Sequence, residues 1–568
     1  MDKCDPEYWF IAEQNLPRVL LRGNGQPTFI PDGQLLAGRA ISWAQQNTAS
    51  SAWGKAWGLD PNSHDDHLLA TYTSGNSVEP LVDGAAYLRD LLAELTGLNQ
   101  GFVLLAGWEF WTGRWLDDTG QLDALLPNVL TALSARGVET RLLAFDNPIL
   151  GIRNNELVDV VNRLYPSTSK PPQRAAYLDG DLGGFAISHH QKEVFVGTGA
   201  FATCCAYVGG IDLGKDRFDD GLHKKTQTEN RFYGWHDVQV KVSGDALTQI
   251  WANFAQRWGA VQARITTVPS RRTDYQLLSC PVPTYAATTP GTQHVQVLRT
   301  VAPAPSSNRG RFMPDGERTF LVALQKAVSL AECYIYIEEQ FLWDCEIADF
   351  IGDRMKANPD LRLIIVMAAE TELPINLGKY HFHLRSLFLM RVMNVTSKAD
   401  IAFGRTTRVY AYGLYQTDTA GGRAIYVHSK LVIIDDRYVA IGSANVDSRS
   451  LYIETELTLG IVDAATQDST LNGAPAKVCT FAKNLRETIW KEHLNVTTLP
   501  DDPIVAFTEN FPRGDGDGWP TRASQAKSLT RNHVRCYINV PGYNTLTPAV
   551  QRILDRNQRR WRRVGGGK

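Results

Sequence analysis

His428, Lys430 and Asp435 are spaced along the two apolar runs within VHSKLVIIDDRYVAIGSANVDSRS (427–450). A strand alternates its faces, so His428 and Lys430 project from the same side. Two cations held side by side repel each other unless an anion lies between them, and a bound phosphate satisfies both. The chain repeats this arrangement upstream in ISHHQKEVFVGTGAFATCCAYVGGIDL (187–213), where His190 and Lys192 match His428 and Lys430. Gly209-Gly210-Ile211-Asp212 matches Gly442-Ser443-Ala444-Asn445, and the first hairpin is the longer of the two. Two such pairs can hold one phosphate between opposed imidazoles.

The flanking elements repeat as well. Helical periodicity in VDGAAYLRDLLAEL (82–95) precedes a strand pattern in GFVLLAGWEF (101–110); TFLVALQKAVSLA (319–331) precedes CYIYIEEQF (333–341) in the same way. A second helix-then-strand pair follows in each copy, at 122–145 and 346–368. Apolar runs 427–434 and 438–441 read as paired strands turning at Asp435–Arg437. Amphipathic helices alternating with short β-rich runs predict an α/β protein: two similar α/β/α sandwich halves with mixed central sheets, related by a pseudo-twofold axis. The halves are expected at 1–278 and 317–568, the latter with a basic tail. Between them, 279–316 contains SCPVPTYAATTPGTQ and APAPSSNRGRFMPDG, rich in Pro, Ser, Thr and Gly, and reads as linker and mobile loop.

These residues resemble the phospholipase D superfamily, whose signature is a paired His-x-Lys-x4-Asp motif, and within it the phospholipases D that carry both motifs in one chain. The likeness extends from about residue 77 to WKEHL (490–494) and includes LVDGAAYL, WHDVQV (235–240), YIYIEEQF and GSANVDSRSL. It implies hydrolysis of the distal phosphodiester of glycerophospholipids to phosphatidic acid and free headgroup, with transphosphatidylation when an alcohol replaces water. A neutral imidazole attacks phosphorus to form a phosphohistidine, and an imidazolium opposite protonates the leaving alcohol. Lys192 and Lys430 offset the charge that develops on the equatorial oxygens. His190 is taken as nucleophile and His428 as acid/base, the reverse remaining open. Each imidazole needs an orienting acceptor, and Asp237 and Glu456 match the acids that the family carries downstream of each motif, with Glu454 competing for the second role. Asn445 and Ser443, with Gly209, Gly210 and Asp212, are the expected substrate-binding residues, Asp212 with its carboxylate turned to backbone donors. No cofactor or metal is expected. The pattern breaks at one point: the position seven after His190 is Gly197, where the second copy keeps Asp435. The resemblance gives that aspartate an architectural role.

Composition narrows the alternatives. With 568 residues, 43% hydrophobic and a formal net charge of −2, the chain lacks the basic surplus of a protein that coats nucleic acid. No signal sequence or membrane-length apolar run is visible, and eight cysteines form no CxxC pair. Together with what the resemblance implies, the expectation is a monomer, cytoplasmic or exported without a signal peptide, in peripheral contact with membranes, using phospholipid as substrate and water or alcohol as acceptor. The competing readings are a phosphatidyltransferase of the cardiolipin-synthase type and a non-catalytic lipid- or phosphate-binding module. Simple structural readings also stand beside the motifs. SHDDH (63–67) fits a solvated loop better than a metal cluster, HFH (381–383) suits either a headgroup pocket or plain surface, and the tail QRRWRRVGGGK fits a disordered end better than a lipid contact.

Overall fold

The computed structural model describes residues 3–4, 21–23, 26–28, 72–146, 154–180, 187–223, 234–267, 275–284, 288–301, 316–369, 371, 375–393, 408–416, 423–507 and 534–536. The first half runs β1 (Tyr72–Val82), α1 (Asp83–Gly97), β2 (Phe102–Gly107), α2 (Leu126–Ala135), β3 (Glu139–Phe145), α3 (Asn154–Leu164), β4 (Ala176–Asp179), β5 (Glu193–Gly197), β6 (Cys205–Gly209), β7 (Val238–Ser243) and α4 (Ala246–Thr267). The second follows the same plan. It runs β8 (Gln293–Val301), α5 (Thr319–Leu330), β9 (Tyr334–Glu339), α6 (Cys345–Ala357), β10 (Arg362–Met367), α7 (Ile375–Met393), β11 (Val409–Gln416), β12 (Arg423–Val427), β13 (Lys430–Ile434), β14 (Tyr438–Gly442), β15 (Glu456–Asp463) and α8 (Thr480–Leu494).

Pairing repeats strand for strand. The first sheet is ordered β1–β7–β6–β5–β2–β3–β4, the second β8–β15–β14–β13–β9–β10–β11. In both, the last three strands are parallel and the rest antiparallel. The equivalent strands β1 and β8 pair antiparallel at Thr73–Val295 and join the sheets, which is the local geometry of a twofold axis. Strand alternation divides the packing: Phe102, Leu104 and Ala106 face a core continuous with the second half, whereas Val103 and Leu105 pack with Leu88, Leu91 and Leu130 of α1 and α2.

The repeat of helices and strands thus appears as expected, with one correction. Gln293–Val301, inside the stretch read as linker, is β8, the strand that makes the seam. Its pattern, QHVQVLRTV, is buried almost throughout because both neighbours cover it; the Pro/Ser-rich flanks hid it. Residues 302–315 and the basic tail lie outside the described residues, as does SHDDH. HFH falls on α7 rather than a loop, and the His381 ring is buried against Phe341 and Trp343. Among the described residues no helix is long and apolar enough to cross a membrane. Cysteines 204, 205, 280, 333 and 479 form no disulfide.

Candidate active site

Each histidine motif lies just before a central strand and docks on the other half of the molecule. The His190 amide donates to the Thr455 carbonyl at 2.9 Å, and the Thr455 amide returns a bond to Ser188 at 3.0 Å. Symmetrically, Trp235–His236 pairs parallel with Tyr426–Val427, and the His428 amide donates to His236 at 2.8 Å. Residues 455 and 236 immediately precede the two candidate acids, so each imidazole faces the other half's carboxylate. His190 Nδ1 meets Glu456 at 3.0 Å, and His428 Nδ1 meets Asp237 at 2.6 Å. With Nδ1 donating its proton to a carboxylate, Nε2 carries the lone pair. Glu454 is engaged elsewhere: it accepts from Ser188 at 2.7 Å and binds Arg449, so Glu456 takes the orienting position.

Burial governs the electrostatics. Both imidazoles are held well below the usual histidine pKa, chiefly by desolvation and then by the lysine charges around them. Each lysine lowers both rings, and His190 itself lowers His428, so the four side chains share one electrostatic neighbourhood. Burial pushes Asp237 up to about 6 and Glu456 up to about 7, against the opposing pull of the lysines. It pushes Lys430 down to about 8. Lys192 donates to the His190 carbonyl at 2.8 Å and pairs with Asp212 at 3.2 Å. Lys430 donates to Gln340 at 3.1 Å and to the His428 carbonyl. A buried pocket with two lysines and two neutral imidazoles favours an anion that can draw protons onto those rings.

The remaining expected site residues divide by role. Asp212 accepts from the Trp108 and Glu109 amides at 3.0 and 3.1 Å, in keeping with a carboxylate turned to backbone donors. Asn445 is buried, and its Oδ1 has no hydrogen-bond partner among the described residues. Ser443 donates its hydroxyl to Glu456 at 2.5 Å and accepts from the Leu457 amide at 3.0 Å. Gly209 and Gly210 also serve protein packing: a Cβ on Gly209 would lie 2.5 Å from the Val238 carbonyl, and one on Gly210 would lie 2.0 Å from Asp237 Oδ1. Close approach between strands and carboxylate requires these glycines.

Asp435 lies in the turn after β13, where it accepts from the Glu332, Cys333 and Tyr334 amides at 2.7, 2.8 and 2.7 Å. It therefore clamps the start of β9. At the equivalent position in the first half, the Phe102 ring fills the space, 2.4 Å from where a Gly197 Cβ would sit. Aromatic packing on a glycine replaces the carboxylate clamp.

Several contributors were not singled out from sequence. Glu338 accepts from Ser429 at 2.7 Å and meets His236 at 3.0 Å and His493 at 2.9 Å, bracing the residues beside His428 and Asp237. Trp235 lies 5.0 Å from the His428 ring, with the Arg217 guanidinium 3.7 Å from the indole centroid. Adjacent acids in the apolar strand YIYIEE are the one signal that pointed here. Three groups among the described residues bring ligand-type atoms within 4.8 Å of one another and could hold a cation: Asp83/His223/His236/Glu492, His236/Glu338/His493 and His190/Glu454/Glu456.

The phospholipase D family profile matches residues 100–346 and 411–506, more than half of the chain. Phospholipase D beta 2 of Arabidopsis thaliana is 23% identical, over 77% of this chain and 59% of its own length. Phospholipase D A of Dictyostelium discoideum is 27% identical, over 54% of this chain and 27% of its own. The chain thus spans well under two thirds of either relative. The solved structure of Haemophilus influenzae Rd KW20 phosphatidylserine synthase superposes over 86% of this chain and 95% of its own, with a TM-score of 0.48 and 10% identity.

Proposed function

The chain belongs to the phospholipase D family, and from that premise we propose that it hydrolyses the distal phosphodiester of glycerophospholipids, releasing phosphatidic acid and the headgroup. The observation that carries the proposal is the exchange of carboxylates: two imidazoles, each oriented by the opposite half, share one pair of lysines. Lipid, with water or an alcohol as acceptor, meets this site from a membrane surface that the monomer contacts peripherally.

The two histidines are not equivalent. Burial pushes Asp237 up to about 6, and its carboxylate faces His428 at 2.6 Å, the shorter of the two contacts and the better placed to hold an imidazolium. Glu456 lies at 3.0 Å from His190 and already accepts the Ser443 hydroxyl, so it supports a positive charge on His190 less well. His190 is accordingly the neutral nucleophile, attacking phosphorus through Nε2, and His428 the acid that gives its proton to the departing headgroup oxygen. In the second step neutral His428 takes a proton from water or an alcohol, whose oxygen displaces His190 and releases the phosphatidyl group. Lys192 and Lys430 balance charge on the equatorial oxygens in both steps.

Incubation of the purified protein with phosphatidylcholine vesicles and a primary alcohol tests the reading. Choline together with phosphatidyl-alcohol is the expected outcome, and its loss in both His190→Ala and His428→Ala ties the activity to this site. Lipid binding without turnover would identify a binding module instead. Turnover surviving either substitution would refute the two-histidine scheme.

A further inference from the structure

The two halves place the carboxylate beside their lysine from opposite strands. In the second half Glu339, the last residue of β9, lies directly across from Lys430. Its oxygens accept from the Phe341 amide at 3.1 Å and the Val446 amide at 2.9 Å, joining the end of β9 to the loop that carries Asn445. In the first half the last residue of β2 is Gly107, and the carboxylate comes from the loop side. Asp212 reaches back to the Trp108 and Glu109 amides, and a Cβ on Gly107 would lie 3.3 Å from its Oδ1. The two loops are equivalent: Leu213 accepts from the Trp111 amide at 3.1 Å as Val446 accepts from Trp343 at 2.9 Å. Each half has one carboxylate staple, then, and the pairs Gly107/Asp212 and Glu339/Asn445 are reciprocal.

We propose that Glu339 is a positioning residue that staples the Asn445 loop to β9 and so frees the Asn445 amide to bind the substrate phosphate. In the first half the loop residue is itself the staple, so no side-chain amide is available there. The phosphate is therefore gripped asymmetrically, by Lys430 and Asn445 on one side and by Lys192, already paired with Asp212, on the other. Asn445 fits this role because its buried Oδ1 lacks a protein partner, and an amide flip would present N–H groups at the same place. The inference rests on the phosphodiester reading for the ligand, whereas the staple itself is independent of it.

A double-mutant cycle separates the two. Glu339→Ala leaves two buried amides without their acceptor, and Asn445→Asp sets a second carboxylate against the first; each is expected to lower the melting temperature. Together they recreate the first half's arrangement, so the double variant should melt above the sum of the two losses. Its KM for phosphatidylcholine should nonetheless stay raised at least tenfold, because the amide is gone. Glu339→Gln, which retains one acceptor oxygen, should fall between wild type and Glu339→Ala in both measurements. Additive melting losses would overturn the staple whether or not the protein turns over lipid. A double variant with wild-type KM would overturn the role of Asn445, and a wild type that melts as expected without any turnover would fault the phospholipase reading alone.

Discussion

Replacing Asp237 by Asn tests which histidine donates the proton. Asp237 Oδ1 accepts from the Val238 amide at 2.8 Å, while Oδ2 faces His428 at 2.6 Å. An asparagine keeps its oxygen on Val238 and turns its N–H2 toward His428 Nδ1. The ring then receives a proton where it formerly donated one, which moves the ring proton to Nε2 and disfavours the imidazolium. Loss of a hydrogen bond to a charged group costs about 1.5–3 kcal/mol, and the opposed buried donors in the imidazolium state add about 1–3 kcal/mol. A combined ~2.5–6 kcal/mol corresponds to a fall of about 10²- to 10⁴-fold in rate. The assay compares phosphatidylcholine with a p-nitrophenyl phosphodiester under identical conditions. Choline needs a proton to leave and p-nitrophenolate does not, so Asp237→Asn should be severe on the first and mild on formation of the phosphohistidine from the second. Glu456→Gln should slow both, because it disturbs the nucleophile. Equal losses on both substrates for Asp237→Asn would reverse the assignment, and a loss under tenfold on phosphatidylcholine would refute the orienting role.

Three further outcomes follow from the same geometry. Asp435→Asn exchanges one acceptor for a donor at the start of β9 and should cost about 1–3 kcal/mol in chemical denaturation; Gly197→Asp should also destabilise rather than restore a lost clamp, because Phe102 fills that space. Gly210→Ala forces a methyl into Asp237 Oδ1, and should cost about 1–3 kcal/mol of stability together with most of the turnover; a fully active, stable Gly210→Ala protein would show that the carboxylate has room to move. Both histidines are held below 6.5 in the empty site, so binding of inorganic phosphate should raise their pKa and draw protons from solution around pH 6. Calorimetry in two buffers of different ionisation enthalpy reads that uptake directly, and proton release on binding would contradict it. In the absence of ligand the same depressed imidazoles bind fewer protons folded than unfolded, so their contribution to stability declines as pH falls below 6.5.

Much of the site was legible because its chemistry demands particular residue types. Paired His-x-Lys runs, the repeat of helices and strands, and acids near 237 and 456 all stand in the sequence. What one chain read linearly does not reveal is who faces whom. The exchange of Asp237 and Glu456 between halves depends on the seam at β1–β8, whose second strand was concealed by Pro- and Ser-rich neighbours. Ser443, Gly209 and Gly210 were read toward the substrate because small residues suit close approach; not legible was that they also permit approach to Glu456, Val238 and Asp237. Glu339 and Gly107 differ in charge and size, so a comparison of the repeats by identity sets them aside, although in space they are the two alternatives of one device.

The exchange also explains why the two halves have to act as one molecule. A half carrying His190 holds its lysine and its Asp212, but its imidazole would face no carboxylate, because Glu456 lies on β15. The other half has the same deficit, since Asp237 directly precedes β7. Every bond that defines ring orientation crosses the interface, as do the backbone bonds at Thr455 and His236. Packing of the halves is thus the step that creates the two unlike imidazoles. An error in their relative placement misorients both rings at once, which ties the proposed activity to the seam strands β1 and β8 as closely as to the histidines themselves.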